Sequence, residues 1–381
     1  MQIYDVVILG AGASGLMCAS HLDKSLNIAI VDANEKVAKK LKISGGGKCN
    51  VTNVSVSADN YDGDMEIISS TFDAFSKDDL LNFLATYGVE PEIRKSRYYF
   101  CKKSSDEIID IFKKQTKHIK KYLNTKVTDV QKKSDIFEIK TDKTVLKTKK
   151  LIVATGGKSF SNLGASDIGL SIAKSFGIKV KEFSPALVGL TLQPSEFWMK
   201  ELSGLSCYVY IKVGHKTLKE EMLFAHRGIS GPAILSASLY WKKGDISIDF
   251  LPNHNILSLI KNTKKKVSSV IPLPKRLSSA ILKALEVADI ECKKLDEKMI
   301  KKLKNIHSYT FAPAGNFGFS KAEVCCGGVL SSELNQYTFE SLDILGLYFI
   351  GEVVDVTGEL GGYNFQWAFS SGFVCANSID F

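Results

Sequence analysis

No stretch of these 381 residues is apolar over the length that crosses a bilayer, and a strand-like run begins almost at once, without a charged-then-apolar leader. A membrane anchor and a secretory route are set aside on that reading, and the cytoplasm is the expected compartment. Internal repeats and low-complexity tracts are also missing, which excludes solenoid arrays. The eight cysteines have no repeated spacing and no Cys-x-x-Cys, so neither a disulfide framework nor a thioredoxin-type pair is indicated. No His, Cys, Asp or Glu cluster stands at metal-ligand spacing, and no metal is expected.

What is present reads as a globular protein of two or three domains, 45% apolar and 24% charged. Its net charge of +9 comes mostly from lysines in Lys113–Lys126, Lys261–Lys266 and Lys293–Lys304. Such runs can track a phosphate backbone, but they are more often solvated helix faces, and few aromatics interleave with them. Nucleic-acid binding is therefore disfavoured, although a protein that binds or modifies tRNA stays as the alternative to the small-molecule reading given below.

The N-terminal stretch carries the strongest signal. Asp5-Val6-Val7-Ile8-Leu9 runs into Gly10-Ala11-Gly12-Ala13-Ser14-Gly15, and a second apolar run, Ile28 to Val31, ends at Asp32. Strand, G-x-G-x-x-G turn, helix, strand and acid form the dinucleotide-binding fingerprint. Gly10 permits the tight turn, Gly12 lets backbone N–H groups approach a pyrophosphate, and Gly15 allows helix to close on strand. Asp32 stands where a carboxylate can accept hydrogen bonds from an adenosine ribose.

Further along, Val127–Val130, Ile136–Ile139 and Thr144–Leu146 are expected as a small antiparallel meander. Leu151-Ile152-Val153-Ala154 then reads as a buried strand ending at Thr155-Gly156-Gly157. Ser166–Phe176 reads as a helix closed by Gly177. A strand-rich region follows, with Val188–Leu192, Cys207–Val213 and Ile246–Phe250. From Pro252 to about Ile306 the apolar spacing is helical. Leu347-Tyr348-Phe349-Ile350 is another buried strand, running into Gly351-Glu352. The last helix starts near Gly361-Gly362-Tyr363-Asn364, and its stripe of Ala368, Gly372 and Ala376 suggests close packing on a sheet.

Several glycine-rich turns thus gather at strand ends. Ser44-Gly45-Gly46-Gly47-Lys48-Cys49 superficially resembles a P-loop, but Cys49 stands where Ser or Thr would bind Mg²⁺. Taken together, Gly10-x-Gly12-x-x-Gly15, Ser44-Gly45-Gly46-Gly47-Lys48-Cys49-Asn50-Val51-Thr52-Asn53, Ala154-Thr155-Gly156-Gly157, Leu223-Phe224-Ala225-His226-Arg227-Gly228-Ile229-Ser230-Gly231-Pro232 and Gly351-Glu352-Val353-Val354-Asp355-x-x-Gly358-x-x-Gly361-Gly362-Tyr363-Asn364-x-Gln366 resemble one family. It is the bacterial NAD(P)/FAD-dependent oxidoreductase group, also called the aminoacetone oxidase family. The resemblance runs the whole length of the chain.

That resemblance implies an α/β fold: a Rossmann-like FAD-binding domain (1–185 and 310–381), an inserted β-rich domain (186–252 and 307–309) and an all-helical insert (253–306). It implies FAD held by Gly10, Gly12, Ser14 and Gly15 at the pyrophosphate, by Asp32 at the ribose and by the Val127 backbone at adenine. Lys40, Gly46, Gly47, Thr155, Gly156, Gly351, Glu352, Gly362, Tyr363 and Asn364 are expected nearer the flavin. Two departures stand out: Cys101 where the family commonly has proline, and Cys325-Cys326 where small polar residues are usual.

The expected reaction is hydride transfer between FAD and a small amine or enone, with oxygen or NAD(P)H as the other redox partner. NAD(P)H would act as a transient reductant, because no second G-x-G-x-x-G has a strand–helix context. His226 and Tyr363 are the candidates for catalytic work. Cys325 and Cys326 are expected as packing thiols, and Cys49, in the flavin-proximal loop, is expected to lack a resolving partner. A non-catalytic FAD-bound module is the third reading.

Overall fold

The computed structural model describes residues 3–160 and 164–380, which divide into two compact units. The first comprises residues 1–184 and 324–381, the second residues 185–323.

In the first unit, strand Ile3–Leu9 lies between Ile28–Val31 and Val145–Val153, parallel to both. Lys120–Tyr122 extends this parallel sheet on one side, and Leu347–Phe349 pairs in parallel with Val145–Val153. Val6, Val7, Ile8, Ile30, Leu151 and Val153 are all buried, as a parallel sheet covered on both faces requires. The meander Val127–Lys133 and Ile136–Thr141 joins the same sheet antiparallel. The two expected strands Thr144–Leu146 and Leu151–Ala154 are one strand, Val145–Val153. Its lysines lie on the less buried positions, while Thr148 is fully buried and donates to Asp5 O at 3.1 Å.

Register brings the C-terminal ends of the central strands to one edge. Gly10 N–H donates to Val31 O at 2.7 Å, Ala154 N–H to Leu9 O at 2.8 Å, and Ile350 N–H to Val153 O at 3.1 Å. Helix Ala13–His21 leaves this edge, and the last helix, Tyr363–Asn377, packs against it. The small-residue stripe of the last helix therefore meets a helix, where a sheet was expected. A Cβ on Gly372 would lie 2.5 Å from Ser14 O.

His21 closes the first helix between the rings of Phe83 and Phe373, at 5.1 and 4.9 Å between centroids. Its Nδ1 lies 2.9 Å from Met17 O. Burial holds its pKa below the ordinary value of 6.5, with the bond to Met17 opposing. A depressed histidine favours the neutral form in the folded state, so protonation favours unfolding. The stability linked to this group is present above pH 6.5 and declines as pH falls below it. His21→Gln is expected to flatten the fall in denaturation midpoint between about pH 7 and pH 5. An unchanged slope in chemical melts across that range would count against this account.

The second unit holds a seven-stranded sheet in the order Tyr309–Phe311, Ile246–Asp249, Ser206–Val213, Lys216–Ala225, Gly228–Ser230, Leu190–Thr191 and Gly315–Asn316. Residues 310–323, expected in the FAD-binding domain, cluster with this unit. The physical reason is pairing: Phe311 lies opposite Ile246, and Gly315 opposite Thr191. Residues 253–306 form short helices, among them Lys275–Ala284 and Glu297–Leu303.

Candidate functional site

The fingerprint turn is built by close approach. Gly10 has φ +108°, and a Cβ there would lie 2.2 Å from Ala154 O. A Cβ on Gly15 would lie 2.1 Å from Gly10 O. Gly12 differs, because a Cβ there would meet none of the described residues within 4 Å. It is the N-cap of helix Ala13–His21 and supplies no side-chain cap. The first turn therefore presents backbone donors and the positive end of the helix dipole to open space. That arrangement fits an anionic ligand such as a pyrophosphate.

Asp32 is tied to the same turn. Its Oδ2 accepts from Ala11 N–H at 2.6 Å and its Oδ1 from Asn34 N–H at 2.7 Å. Thr125 N–H donates to Asp32 O at 2.9 Å and Asn124 N–H to Asn34 O at 2.7 Å. These bonds bring the segment leading into Val127 beside Asp32, which gathers both residues expected at the adenosine end. Val127 itself begins its strand at a register shift between Val127 and Asp129.

At the other end of the edge, Lys40 Nζ and Glu352 Oε2 form an ion pair at 2.8 Å, with Lys40 one-third exposed. Glu352 Oε1 accepts from Cys325 N–H at 3.0 Å. A Cβ on Gly157 would press on Glu352 Oε1 at 3.0 Å, and one on Gly156 would lie 3.7 Å from Oε2. Gly351, at φ +74°, faces Ser14, whose Oγ would be 2.5 Å from an added Cβ. Its N–H donates to Ser371 Oγ at 3.0 Å, and its carbonyl accepts from Trp367 Nε1 at 3.1 Å. Ser14, Gly351, Glu352, Lys40 and Gly156 thus lie along one edge. Thr155 is turned away: its buried Oγ1 has no hydrogen-bond partner among the described residues and would touch a Cβ on Gly169 at 2.4 Å.

The glycine loop after Lys42 takes left-handed backbone at Gly45, Gly46 and Gly47, and a Cβ on Gly46 would meet only open space. Side chains of Asn50-Val51-Thr52-Asn53 dock the C-terminal glycine block. Thr52 Oγ1 donates to Gln366 Oε1 at 2.6 Å, and Asn53 Nδ2 donates to Gly361 O at 2.9 Å. In the amide orientation that satisfies both ends, Asn50 Oδ1 accepts from Gly362 N–H at 3.2 Å. Gly362 sits so close to Thr52 that a Cβ would lie 2.6 Å from its carbonyl oxygen. Two motifs more than 300 positions apart in sequence are therefore one hydrogen-bonded unit. Sequence reading identified both motifs without their mutual contact.

Asn364 has a structural task. Its Oδ1 accepts from Gly358 N–H at 2.9 Å and its Nδ2 donates to Gly358 O at 2.8 Å, closing the loop before the last helix. Tyr363 is 3% exposed and packs edge-on against Tyr61 at 5.8 Å. Burial raises its phenol pKa, with Glu359 adding to the rise and Arg97 opposing it. His226 belongs to the second unit, exposed with Arg227 at the two-residue tip where Ala225 pairs with Gly228. Tyr363 offers little free edge to a ligand, whereas His226 does.

The cysteines show what spacing missed. Cys49 does have a neighbouring thiol: Cys101 lies across the antiparallel ladder of Asn50–Asn53 with Tyr98–Phe100. Cys101 N–H donates to Lys48 O at 2.9 Å, and its thiol hydrogen-bonds with that of Cys49. That bond and burial raise the Cys101 pKa, and both side chains are fully buried. Cys325 Sγ accepts from the N–H groups of Lys158 at 3.1 Å and Ser159 at 3.2 Å, pinning the turn after Gly157. Burial pushes the Cys326 thiol up to about 12. Both fit packing and bracing better than redox exchange.

Residues 4–378 match the family described as HI0933-like protein Rossmann domain. The chain is 36% identical to the ribosomal RNA dihydrouridine synthase of Haemophilus influenzae, covering 99% of each chain. A protein of the same name from Escherichia coli is 33% identical, covering 100% of this chain and 98% of that one. The 3-dehydro-bile acid delta(4,6)-reductase of Clostridium scindens is 27% identical over 97% of this chain and 98% of its own. Among solved structures, the 3-ketosteroid-delta4-(5alpha)-dehydrogenase of Rhodococcus jostii RHA1 has a TM-score of 0.51 at 12% identity. It aligns over 98% of this chain and 96% of that one, a likeness of fold. With an open, uncapped fingerprint helix at the sheet edge and a match from end to end, this chain belongs to the HI0933-like Rossmann family and is an FAD-dependent oxidoreductase.

Proposed function

We propose that this enzyme reduces a carbon–carbon double bond conjugated to a carbonyl, and that its substrate is a uracil base in ribosomal RNA. The observation that carries this reading is identity above 30% over essentially the full length to two proteins named for dihydrouridine formation in ribosomal RNA. Saturating uracil C5=C6, which is conjugated to C4=O, is chemically akin to reducing an enone. The bile-acid relative is also named as a reductase of ring double bonds. One reaction class thus accommodates both names, whereas amine oxidation accommodates neither.

Bound FAD would supply the hydride to one alkene carbon, with a proton from solvent completing the other and NAD(P)H as the reductant that recharges the flavin. The chain's own part is binding and orientation. Gly10, Gly12, Ser14 and Gly15 would receive the pyrophosphate, Asp32 the ribose and the Val127 backbone the adenine. Lys40, Gly46, Gly47, Gly156, Gly351, Glu352 and Gly362 would surround the flavin end. Asn364 would act there through the loop it closes and Tyr363 through its packing on Tyr61, while Thr155, with its side chain turned away, would offer only backbone.

The test is anaerobic incubation of the purified yellow protein and NADPH or NADH with unmodified ribosomal RNA transcript, followed by nucleoside mass spectrometry. Dihydrouridine formed only with enzyme and reductant is the expected result. Reduction of a steroid dienone with none of the RNA would instead favour the small-molecule reading. Bleaching by aminoacetone alone would return the enzyme to the amine oxidases.

A further inference from the structure

One continuous segment of the second unit carries a large positive excess. Residues 253–306 hold 13 Lys and Arg against 5 Asp and Glu, a net +8, so the remaining residues together carry only +1 of the total +9. Folding gathers part of this excess. The bridge between Lys266 and Glu291, with Cys292 N–H donating to Lys265 O at 3.0 Å and Val267 N–H to Ile290 O at 3.1 Å, joins two lysine runs. Lys264, Lys265, Lys266, Lys293 and Lys294 are all exposed around it.

Three of the five acids here are engaged locally. Asp289 accepts from Ser268 N–H at 2.9 Å and from its hydroxyl at 2.7 Å, Asp296 caps Met299 N–H at 2.7 Å, and Glu291 pairs with Lys294 at 3.5 Å. Lys275 adds charge at the N-terminal turn of helix Lys275–Ala284, where the dipole is already positive. A cation there costs stability unless an anion lies nearby. Asp289 is close enough to both Lys266 and Lys275 to feel their charge, which ties this helix end to the same patch.

The segment contains no Phe, Tyr or Trp. Single-stranded nucleic acid is typically gripped by stacking bases on aromatics, and surface-seeking helices anchor through aromatic and large apolar side chains. A dense, aromatic-free lysine surface suits a partner whose bases are hidden and whose phosphates are outward. We infer that the 253–306 segment is a docking surface for double-helical RNA, reading backbone and not sequence. Its identification as ribosomal RNA rests on the function proposed above, but duplex binding does not.

The test uses the full-length FAD-loaded enzyme and a variant carrying Lys264→Glu, Lys265→Glu, Lys293→Glu and Lys294→Glu. Binding is measured by fluorescence anisotropy to a blunt RNA duplex and a single strand of equal length, and by co-sedimentation with phosphatidylserine vesicles, each at several salt concentrations. The wild type is expected to prefer the duplex. The variant is expected to lose at least about 100-fold in duplex affinity near 0.1 M salt, with the log–log salt slope falling by about 0.9 for each phosphate contact removed. A matching Lys→Gln set should lose less, with an unchanged melting curve and unchanged flavin bleaching by NAD(P)H. Duplex binding that persists in both variants, or preference for the single strand or the vesicles, overturns the inference. Duplex binding lost on reversal in an enzyme that forms no dihydrouridine would leave the surface standing and remove only the proposed substrate.

Discussion

Gly12→Asp is expected to yield a folded, colourless protein. The added side chain enters space that is open around Gly12, so packing is untouched. The position is an N-cap with φ −83° and ψ −165°, a conformation aspartate adopts readily. Its carboxylate would cap the helix itself, and stability should hold or rise by a few tenths of a kcal/mol. On the reading proposed above, the same carboxylate would stand where FAD's pyrophosphate binds. Like charges about 4 Å apart at an effective dielectric of about 20 repel by about 4 kcal/mol, a loss of roughly three orders of magnitude in affinity. Gly15→Ala supplies the contrast, since its Cβ would meet Gly10 O at 2.1 Å. That overpacking should cost about 1–3 kcal/mol of stability. Thermal melts with flavin absorbance of the purified variants separate the two cases. A Gly12→Asp protein that retains full flavin would show that the pyrophosphate lies elsewhere.

Trp367→Ala carries the largest expected stability effect. Trp367 is 1% exposed, packs edge-on against Phe72 and Phe339, and donates to Gly351 O. Emptying such a site costs about 3–5 kcal/mol, which lowers the melting midpoint of a domain this size by roughly 6–20 °C. Trp367→Phe keeps most of the volume but leaves Gly351 O without this donor, at about 1–3 kcal/mol. If the Phe variant bound FAD as tightly as wild type, the Trp367–Gly351 bond would have no part in shaping the flavin end.

The parts of this protein legible in its sequence are those fixed by local chemistry. Gly10, Gly12 and Gly15 announce a turn because each removes a Cβ at a point where backbone or ligand must pass, and the apolar run beside them can only be a buried strand. Helices of the 253–306 segment were legible from apolar spacing alone. Strand Lys216–Ala225 was not, because its Lys219, Glu220 and Glu221 obscure the alternation that its partner Ser206–Val213 displays. Features set by long-range register were also hidden. Nothing near Cys49 points to Cys101; the ladder between Asn50–Asn53 and Tyr98–Phe100 brings them together. The stripe of Ala368, Gly372 and Ala376 announced close approach but could not say to what, since a helix and a sheet make the same demand for small side chains. Likewise, the lysine runs looked like separate solvated faces until the Lys266–Glu291 bridge joined two of them.

The first helix is held by the last, with Gly372 against Ser14 O, while the second unit is continuous from Pro185 to Glu323. On the ribosome this ordering sets a timetable. Residues 1–184 emerge with one wall of their core missing, and the second unit can fold from contiguous chain before that wall is made. The side of the first helix that the last helix covers must meanwhile wait through some 180 further residues, a delay of about 10–40 s at bacterial synthesis rates.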